Sequence, residues 1–317
     1  MQKRKLGWTD LELSVIGLGT WAAGGAGWKF SWGEQDDSLT IKTIHKAIDI
    51  GINWIDTAPV YGLGHAEEVV GRAIEGLKNK IIIATKCGRR WSNDGKELYG
   101  DLRRQEIKKE CEASLKRLGV SQIDLYQIHW PQPEEKIEEA WQAIYELQKE
   151  GKVRYAGVSN FNLAQMQKIM GINKIASLQP PYSILRRQIE EKELPFCKKN
   201  NIGVITYSPL ERGLLTGKVT KQWVENLSDA DHRKRDAQFN EPQLSKNLEI
   251  VEKLKKTAKK LNITVSQLAI SWILRKEEIT AVIVGARKPE QIEETAKAGD
   301  ERYIAECRLS IADWKLN

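Results

Sequence analysis

The stretch NWIDTAPVYG, residues 53–62, is apolar and strand-like at its start, stops at Asp56, and presents Tyr61 five residues later. A short run of branched and aromatic residues that ends on a carboxylate has the pattern of a parallel strand, buried on both faces, whose last residue leaves the core. Seven further runs share that length and branching: SVIGLG (14–19), IIIAT (81–85), DLYQI (124–128), YAGV (155–158), IASLQ (175–179), GVITY (203–207) and AVIV (281–284). Between them, segments such as 37–51, 103–119 and 133–151 repeat apolar residues at helical spacing. Gly51, Gly119 and Gly151 fall where helix C-caps belong, and Pro289 falls where a helix can begin. Eight strands alternating with helices predict an α/β chain folded as a (β/α)8 TIM barrel, one domain over 1–317, in preference to an open doubly wound sheet.

Two features embellish that plan. KRKLGWTDLEL (3–13) reads as a short N-terminal hairpin that caps the bottom of the barrel. Long connections follow the first and seventh strands, at 21–36 and about 209–242. Loops of that size inside a compact domain are usually functional or disordered, and Trp28, Phe30 and Trp32 in the first favour function.

With 41% hydrophobic and 29% charged residues the 317-residue chain can bury a substantial core. Lys plus Arg exceed Asp plus Glu by 50 to 43, but both signs are interspersed, so the net +7 suits an anionic ligand and does not call for nucleic acid. The first residues lack the apolar core of a signal peptide, and no run approaches the roughly 18 apolar residues of a membrane span, so a cytoplasmic location is expected. Cys87, Cys111, Cys197 and Cys307 are far apart, and His45, His65, His129 and His232 form neither HxH nor HExxH. Neither a disulfide framework nor a metal site is expected. GLGTWA (17–22) matches a dinucleotide fingerprint, but the dozen residues after it cannot form the amphipathic helix that the fingerprint requires, so the Rossmann reading fails.

In a parallel barrel the C-terminal strand ends share one face, where catalytic groups gather. The residues that stop the runs are Asp56, with Tyr61 beyond it, then Lys86, His129, Ser159 with Asn160, Gln179, Tyr207 with Ser208, and Gly285 to Arg287. Singly, each has an ordinary structural explanation. Together, an acid, a phenol, an ammonium and an imidazole at three successive strand ends make a proton-transfer apparatus.

The same residues carry a resemblance. GINWIDTAPVYGLGHAEEVVGRAI (51–74), ATKCG (84–88), DLYQIHWP (124–131), GVSNF (157–161), QPPYS (179–183), YSPLERGLLTGK (207–218) and VIVGARKPEQIEE (282–294) resemble, in order and spacing, the motifs of the aldo-keto reductases. The loop pattern is similar to the prokaryotic and potassium-channel β-subunit branches. Residues 299–317 resemble nothing placed. The resemblance implies a barrel that binds a nicotinamide dinucleotide without a Rossmann fold and reduces aldehydes or ketones. Tyr61 would be the general acid, Lys86 the cation beside it, Asp56 the carboxylate holding that cation, and His129 the hydrogen-bond partner of the substrate carbonyl.

It further implies that Ser159, Asn160 and Gln179 bond the carboxamide and that Tyr207 stacks on the nicotinamide. Ser208, Leu210, Gly213, Leu214 and Lys218 would line the pyrophosphate channel, and Gly285, Ala286, Arg287, Gln291 and Glu294 would frame the adenosine. Arg287 and Lys288 match a 2′-phosphate, which favours NADPH and leaves NADH possible. Many family members carry Lys-Ser at Gly285-Ala286, Arg at Gln291 and Asn at Thr295, so this chain departs from the pattern there. Trp21, counted among the cofactor contacts, joins Trp28, Trp91 and Trp130 on an aromatic rim suited to apolar aldehydes. DHRKRD (231–236) reads as a solvated charge run, with the alternative that its arginines fold over the cofactor diphosphate. The expected partner is a small aldehyde or ketone, with no nucleic acid, no membrane and a monomer as default. A nicotinamide-binding regulatory or redox-sensing subunit with slow turnover is the alternative, and a cofactor-free barrel isomerase or lyase is the third reading.

Overall fold

The computed structural model describes residues 1–78, 80–228 and 231–311, the span 308–311 by its backbone alone. The chain opens with Lys3–Lys5 (β1) and Glu12–Ser14 (β2), paired antiparallel with Lys3 opposite Ser14. The barrel begins with Ile16–Gly19 (β3), Trp54–Asp56 (β4) and Ile82–Cys87 (β5). A second hairpin, Arg89–Trp91 (β6) with Leu98–Gly100 (β7), interrupts the series. The barrel resumes with Ile123–Ile128 (β8), Val153–Ser159 (β9), Ser177–Gln179 (β10), Gly203–Thr206 (β11) and Ala281–Gly285 (β12). These eight strands close as β10-β11-β12-β3-β4-β5-β8-β9, every neighbouring pair parallel. All eight expected strands form, and the expected (β/α)8 TIM barrel is present.

The helices around it are Asp37–Asp49 (α1), His65–Ala73 (α2), Arg104–Leu118 (α3), Ile137–Lys149 (α4), Leu163–Ile169 (α5) and Glu193–Lys199 (α6). They continue with Lys221–Glu225 (α7), Gln243–Leu261 (α8), Val265–Leu274 (α9), Pro289–Ala296 (α10) and Glu301–Ile311 (α11). Their ends follow local chemistry. Asp36 accepts the Leu39 N–H to start α1, Gly119 takes φ 65 to end α3, and Pro289 occupies the first turn of α10. No helix among the described residues is long and apolar enough to cross a membrane.

The hairpin β1–β2 plugs the bottom of the barrel. Leu6, Leu11 and Leu13 pack with Trp54, Ala84, Leu125, Ala176, Ile205 and Ala281, and the Trp8 indole donates to the Ile175 carbonyl at 2.8 Å. Trp54 fills this end only because Gly17 has no side chain: a Cβ there would lie 2.1 Å from the indole.

Three parts of the chain differ from the sequence expectation. The hairpin β6–β7 was not foreseen, because RRW and LYG are half-exposed and lack a buried strand's apolar run. The connection after β11 is built rather than loose: it holds α7 and several 3₁₀ turns around its own core of Leu214, Val219, Val224, Phe239 and Leu244. The tail forms α11 as far as residue 311 and packs Ile304 and Cys307 against α9; residues 312–317 lie outside the described residues.

Because the indole of Trp54 occupies the space of a methyl on Gly17, Gly17→Ala should lower stability by about 1–3 kcal/mol. Urea unfolding checks it: the midpoint should fall with an unchanged slope. An unmoved midpoint would show that the indole does not depend on that glycine.

Candidate active site

Strand register brings the polar residues together. Asp56 pairs with Ala84 across β4–β5, so Lys86, two residues further, points the same way one layer higher. Lys86 in turn sits opposite Gln127 of β8, and Ser159 of β9 opposite Gln179 of β10. Tyr61 opens a 3₁₀ turn after β4, and His129 follows β8 directly, its amide N–H donating to the Cys87 carbonyl at 2.9 Å.

Lys86 is fully buried and spends its three protons in three directions. Its Nζ donates to Asp56 Oδ1 at 2.6 Å, to the Thr57 carbonyl at 2.9 Å and to the Tyr61 hydroxyl at 3.2 Å. Burial opposes the ammonium charge, but the Asp56 carboxylate and the Tyr61 phenol outweigh it, and the lysine pKa is raised. The Tyr61 phenol is also raised above its ordinary value of 10.0: burial is the larger cause, Lys86 pulls the other way, and Asp56 adds to the rise. The net direction shows that the ammonium does not by itself make the phenol acidic. At neutral pH the group is a protonated phenol beside a charged amine.

Burial, then the charges of Lys86 and Arg89, hold the His129 imidazole well below its ordinary 6.5, so it is neutral at neutral pH. Its ring stands edge-on to Tyr61 with centroids 5.9 Å apart. The phenol oxygen accepts from Lys86, which leaves its own proton free to point elsewhere. A neutral imidazole and a protonated phenol side by side can both donate to one carbonyl oxygen.

The loop after β3 forms a wall over this pair. Trp21 lies 5.1 Å and Trp28 6.3 Å from the Tyr61 ring, centroid to centroid, and Trp28 is buried. Trp130 is exposed, and half-buried Trp91 belongs to β6. The wall continues into the loop after β11: His232 stacks on Trp32 at 6.1 Å, and Arg233 lies over Trp32 at 5.4 Å. Within residues 231–236 only Lys234 and Arg235 are exposed; Asp231, His232, Arg233 and Asp236 are half-buried in contacts. Asp231 pairs with Arg233, Asp236 pairs with Arg212, and both aspartates cap 3₁₀ turns. The alternation of acid and base, which resembles solvated surface in sequence, ties the segment to itself through Asp231 and to Arg212 through Asp236.

The expected cofactor residues are spread over the strand ends, the segment after β11 and α10. Asn160 donates to the His129 carbonyl and to Ser159 Oγ, each at 3.0 Å, and accepts from the Tyr207 hydroxyl at 2.8 Å; Ser159 Oγ donates to the Gln179 carbonyl. Gln179 directs its amide N–H group to Asp56 Oδ2 at 2.8 Å. Ser208, with φ 56, and Gly213, with φ 106, mark sharp backbone turns beyond β11, where Leu210 is partly buried and Lys218 exposed. The Leu214 side chain is enclosed by Phe239 and Leu244, so only its backbone is available to a ligand. Arg287 donates from Nε to Gln35 at 2.8 Å and from Nη2 to the Glu34 carbonyl, tying the eighth strand end to the first loop. Gly285 and Gln291 are exposed, the Gln291 side chain accepts from the Arg287 amide, and the Glu294 carbonyl accepts from Gln267. Thr295 is buried and donates back to the Gln291 carbonyl. Sequence reasoning passed over Arg186 and Arg212, whose charges both reach Tyr207. Arg212 lies inside a quoted motif, so position relative to Tyr207 was the available signal.

Comparison with known proteins identifies the family and the fold. The model of the aldo/keto reductase family matches residues 15–308. The chain is 43% identical over 288 residues to the aldo-keto reductase YhdN of Bacillus subtilis, covering 90% of this chain and 85% of that protein. It is 36% identical over 311 residues to the NADH-specific methylglyoxal reductase of Escherichia coli, covering 94% and 93%. The structure of a Gluconobacter oxydans glycerol dehydrogenase superposes with a TM-score of 0.85 at 38% identity, over 96% of this chain and 94% of that one. The chain belongs to the aldo-keto reductase family and is a NAD(P)H-dependent carbonyl oxidoreductase.

Proposed function

We propose that the protein reduces aldehydes or ketones to alcohols with NADPH, and that Tyr61 delivers the proton. The observation that carries this reading is the bond from Lys86 to the Tyr61 oxygen at 3.2 Å, made by an ammonium whose other two protons are already engaged. A carbonyl oxygen placed against the Tyr61 hydroxyl and the His129 ring meets two donors where negative charge develops. As the proton leaves Tyr61, the phenolate faces the Lys86 charge, and Asp56 holds that charge in place. Trp21 and Trp28 keep water from the Tyr61 face and offer an apolar wall to the substrate.

A nicotinamide dinucleotide fits the donor set. Ser159, Asn160 and Gln179 present amide and hydroxyl groups beside the tetrad, and Tyr207 offers a ring. Arg186, Arg212 and Lys218 supply positive charge for a pyrophosphate near the left-handed backbone at Ser208 and Gly213. The bound cofactor supplies the hydride. At the far end, Arg287 and Lys288 favour a 2′-phosphate beside the start of α10. NADH remains the competing choice, since a relative of 36% identity is NADH-specific and Arg287 already bonds Gln35.

Tyr61→Phe should lower the rate of NADPH oxidation with 4-nitrobenzaldehyde by about 10²–10⁴-fold. Dinucleotide affinity, read by fluorescence titration, should stay near the wild-type value, and an unchanged rate would remove Tyr61 as the acid. Arg287→Ala should reduce the preference for NADPH over NADH by about tenfold, the effect of losing one charge-assisted phosphate contact. A preference that does not move assigns the 2′-phosphate elsewhere. Because the imidazole pKa is lowered and the phenol pKa raised, the reductive rate should be flat between their ordinary values of 6.5 and 10.0. An inflection inside that window, absent in His129→Gln or in Tyr61→Phe, would contradict one of the two assigned protonation states.

A further inference from the structure

The order β10-β11-β12-β3-β4-β5-β8-β9 places β4 and β10 four strands apart in either direction, directly opposite in the ring. Yet Asp56 of β4 and Gln179 of β10, 123 residues apart in sequence, touch across the lumen: Gln179 Nε2 donates to Asp56 Oδ2 at 2.8 Å. Both side chains are nearly inaccessible, at 3% and 2% exposure. A carboxylate only accepts, so the end of the amide that faces it is the N–H₂ end. The oxygen not used by Lys86 is thereby satisfied by a neutral donor, which leaves the Asp56–Lys86 pair balanced in charge. Gln179 is itself steadied by a longer contact to Gln127 Oε1 at 3.4 Å, and that oxygen accepts from Ser177 Oγ at 3.3 Å. The groups facing Asp56 are thus Lys86 from β5, Tyr61 from the loop after β4, and Gln179 from β10.

We propose that Gln179 is a positioning residue of the proton-transfer site, which locks the second oxygen of Asp56 so that the first holds Lys86 against Tyr61. Without this donor the carboxylate is left with an unsatisfied buried oxygen, rotates towards other donors and carries more uncompensated charge. Lys86 then loses its fixed direction and the phenolate becomes harder to form. Any contact from Gln179 to a cofactor carboxamide is made by the remaining capacity of the amide, not by the group given to Asp56. The inference builds on the reading of Tyr61 as the acid.

The test compares wild type, Gln179→Leu and Gln179→Glu. In cofactor-free protein labelled with ¹³Cζ-tyrosine, the Tyr61 signal is identified by its loss in Tyr61→Phe. Gln179→Leu should move the Tyr61 titration to higher pH and lower the rate constant for aldehyde reduction about tenfold to a hundredfold, as for one lost bond to a charged group. Because Gln179 also stands among the residues assigned to the cofactor carboxamide, the rate is read at saturating dinucleotide, and the Tyr61 titration in cofactor-free protein isolates the effect on Asp56. Gln179→Glu keeps the shape: its protonated acid can donate to Asp56, so its activity should approach wild type at low pH and fall as the second carboxylate ionises. A Gln179→Leu protein with weakened dinucleotide binding and an unmoved Tyr61 titration would overturn the proposal, as would a Gln179→Glu protein with a wild-type pH profile. If Gln179→Leu does not fold, the Gln179→Glu profile decides. Loss of the parent reading shows differently, as a Tyr61→Phe protein that turns over normally.

Discussion

An ammonium enclosed in the upper lumen of a closed barrel is the constraint on which the rest of the site depends. Lys86 is inaccessible to water, and an isolated charge there would neutralise itself or disrupt the fold. It persists because each proton has an acceptor: one carboxylate oxygen, one backbone carbonyl and one phenol oxygen. Two of those acceptors are structural. The third is Tyr61, so satisfying the charge also orients the phenol and leaves its proton for a ligand. Stability and chemistry draw on the same three hydrogen bonds.

Around that centre the molecule separates tasks by position. The lower half of the barrel is apolar and plugged by the N-terminal hairpin, with Trp54 as its largest filler. The upper half carries the polar layer: Asp56, Lys86, Gln127 and Gln179 from strands on different sides of the ring. Above it, aromatic residues from the first loop meet the folded segment after β11 through Trp32, His232 and Arg233. The wall beside Tyr61 is therefore assembled from two loops that meet through Trp32 and His232, residues far apart in sequence, and its shape depends on both.

Much of this was legible before any coordinates. Short branched runs predicted the eight strands because a strand covered on both faces has no polar side to display. Asp56, Tyr61, Lys86 and His129 stood out because each ends or follows such a run, and they do converge. The hairpin Arg89–Gly100 was not legible: half-exposed strands carry neither an apolar run nor a clean alternation. The contacts of DHRKRD were not legible because Asp236 pairs with Arg212 and His232 stacks on Trp32, partners supplied by other parts of the chain. Leu214 had a motif position but faces its own small core, a choice made by Phe239 and Leu244 from later in the chain.

The sequence by itself determined the order of strands and helices, the plugged and open ends of the barrel, and the kinds of group that stand at the strand ends. Those follow from local patterns of burial, branching and capping, which need only near neighbours. Which hydrogen bond each polar group makes was decided by tertiary structure alone. Gln179 and Asp56 meet only because the ring closes and brings opposite strands within reach across a dry lumen, where every donor must find an acceptor among the residues that closure supplies.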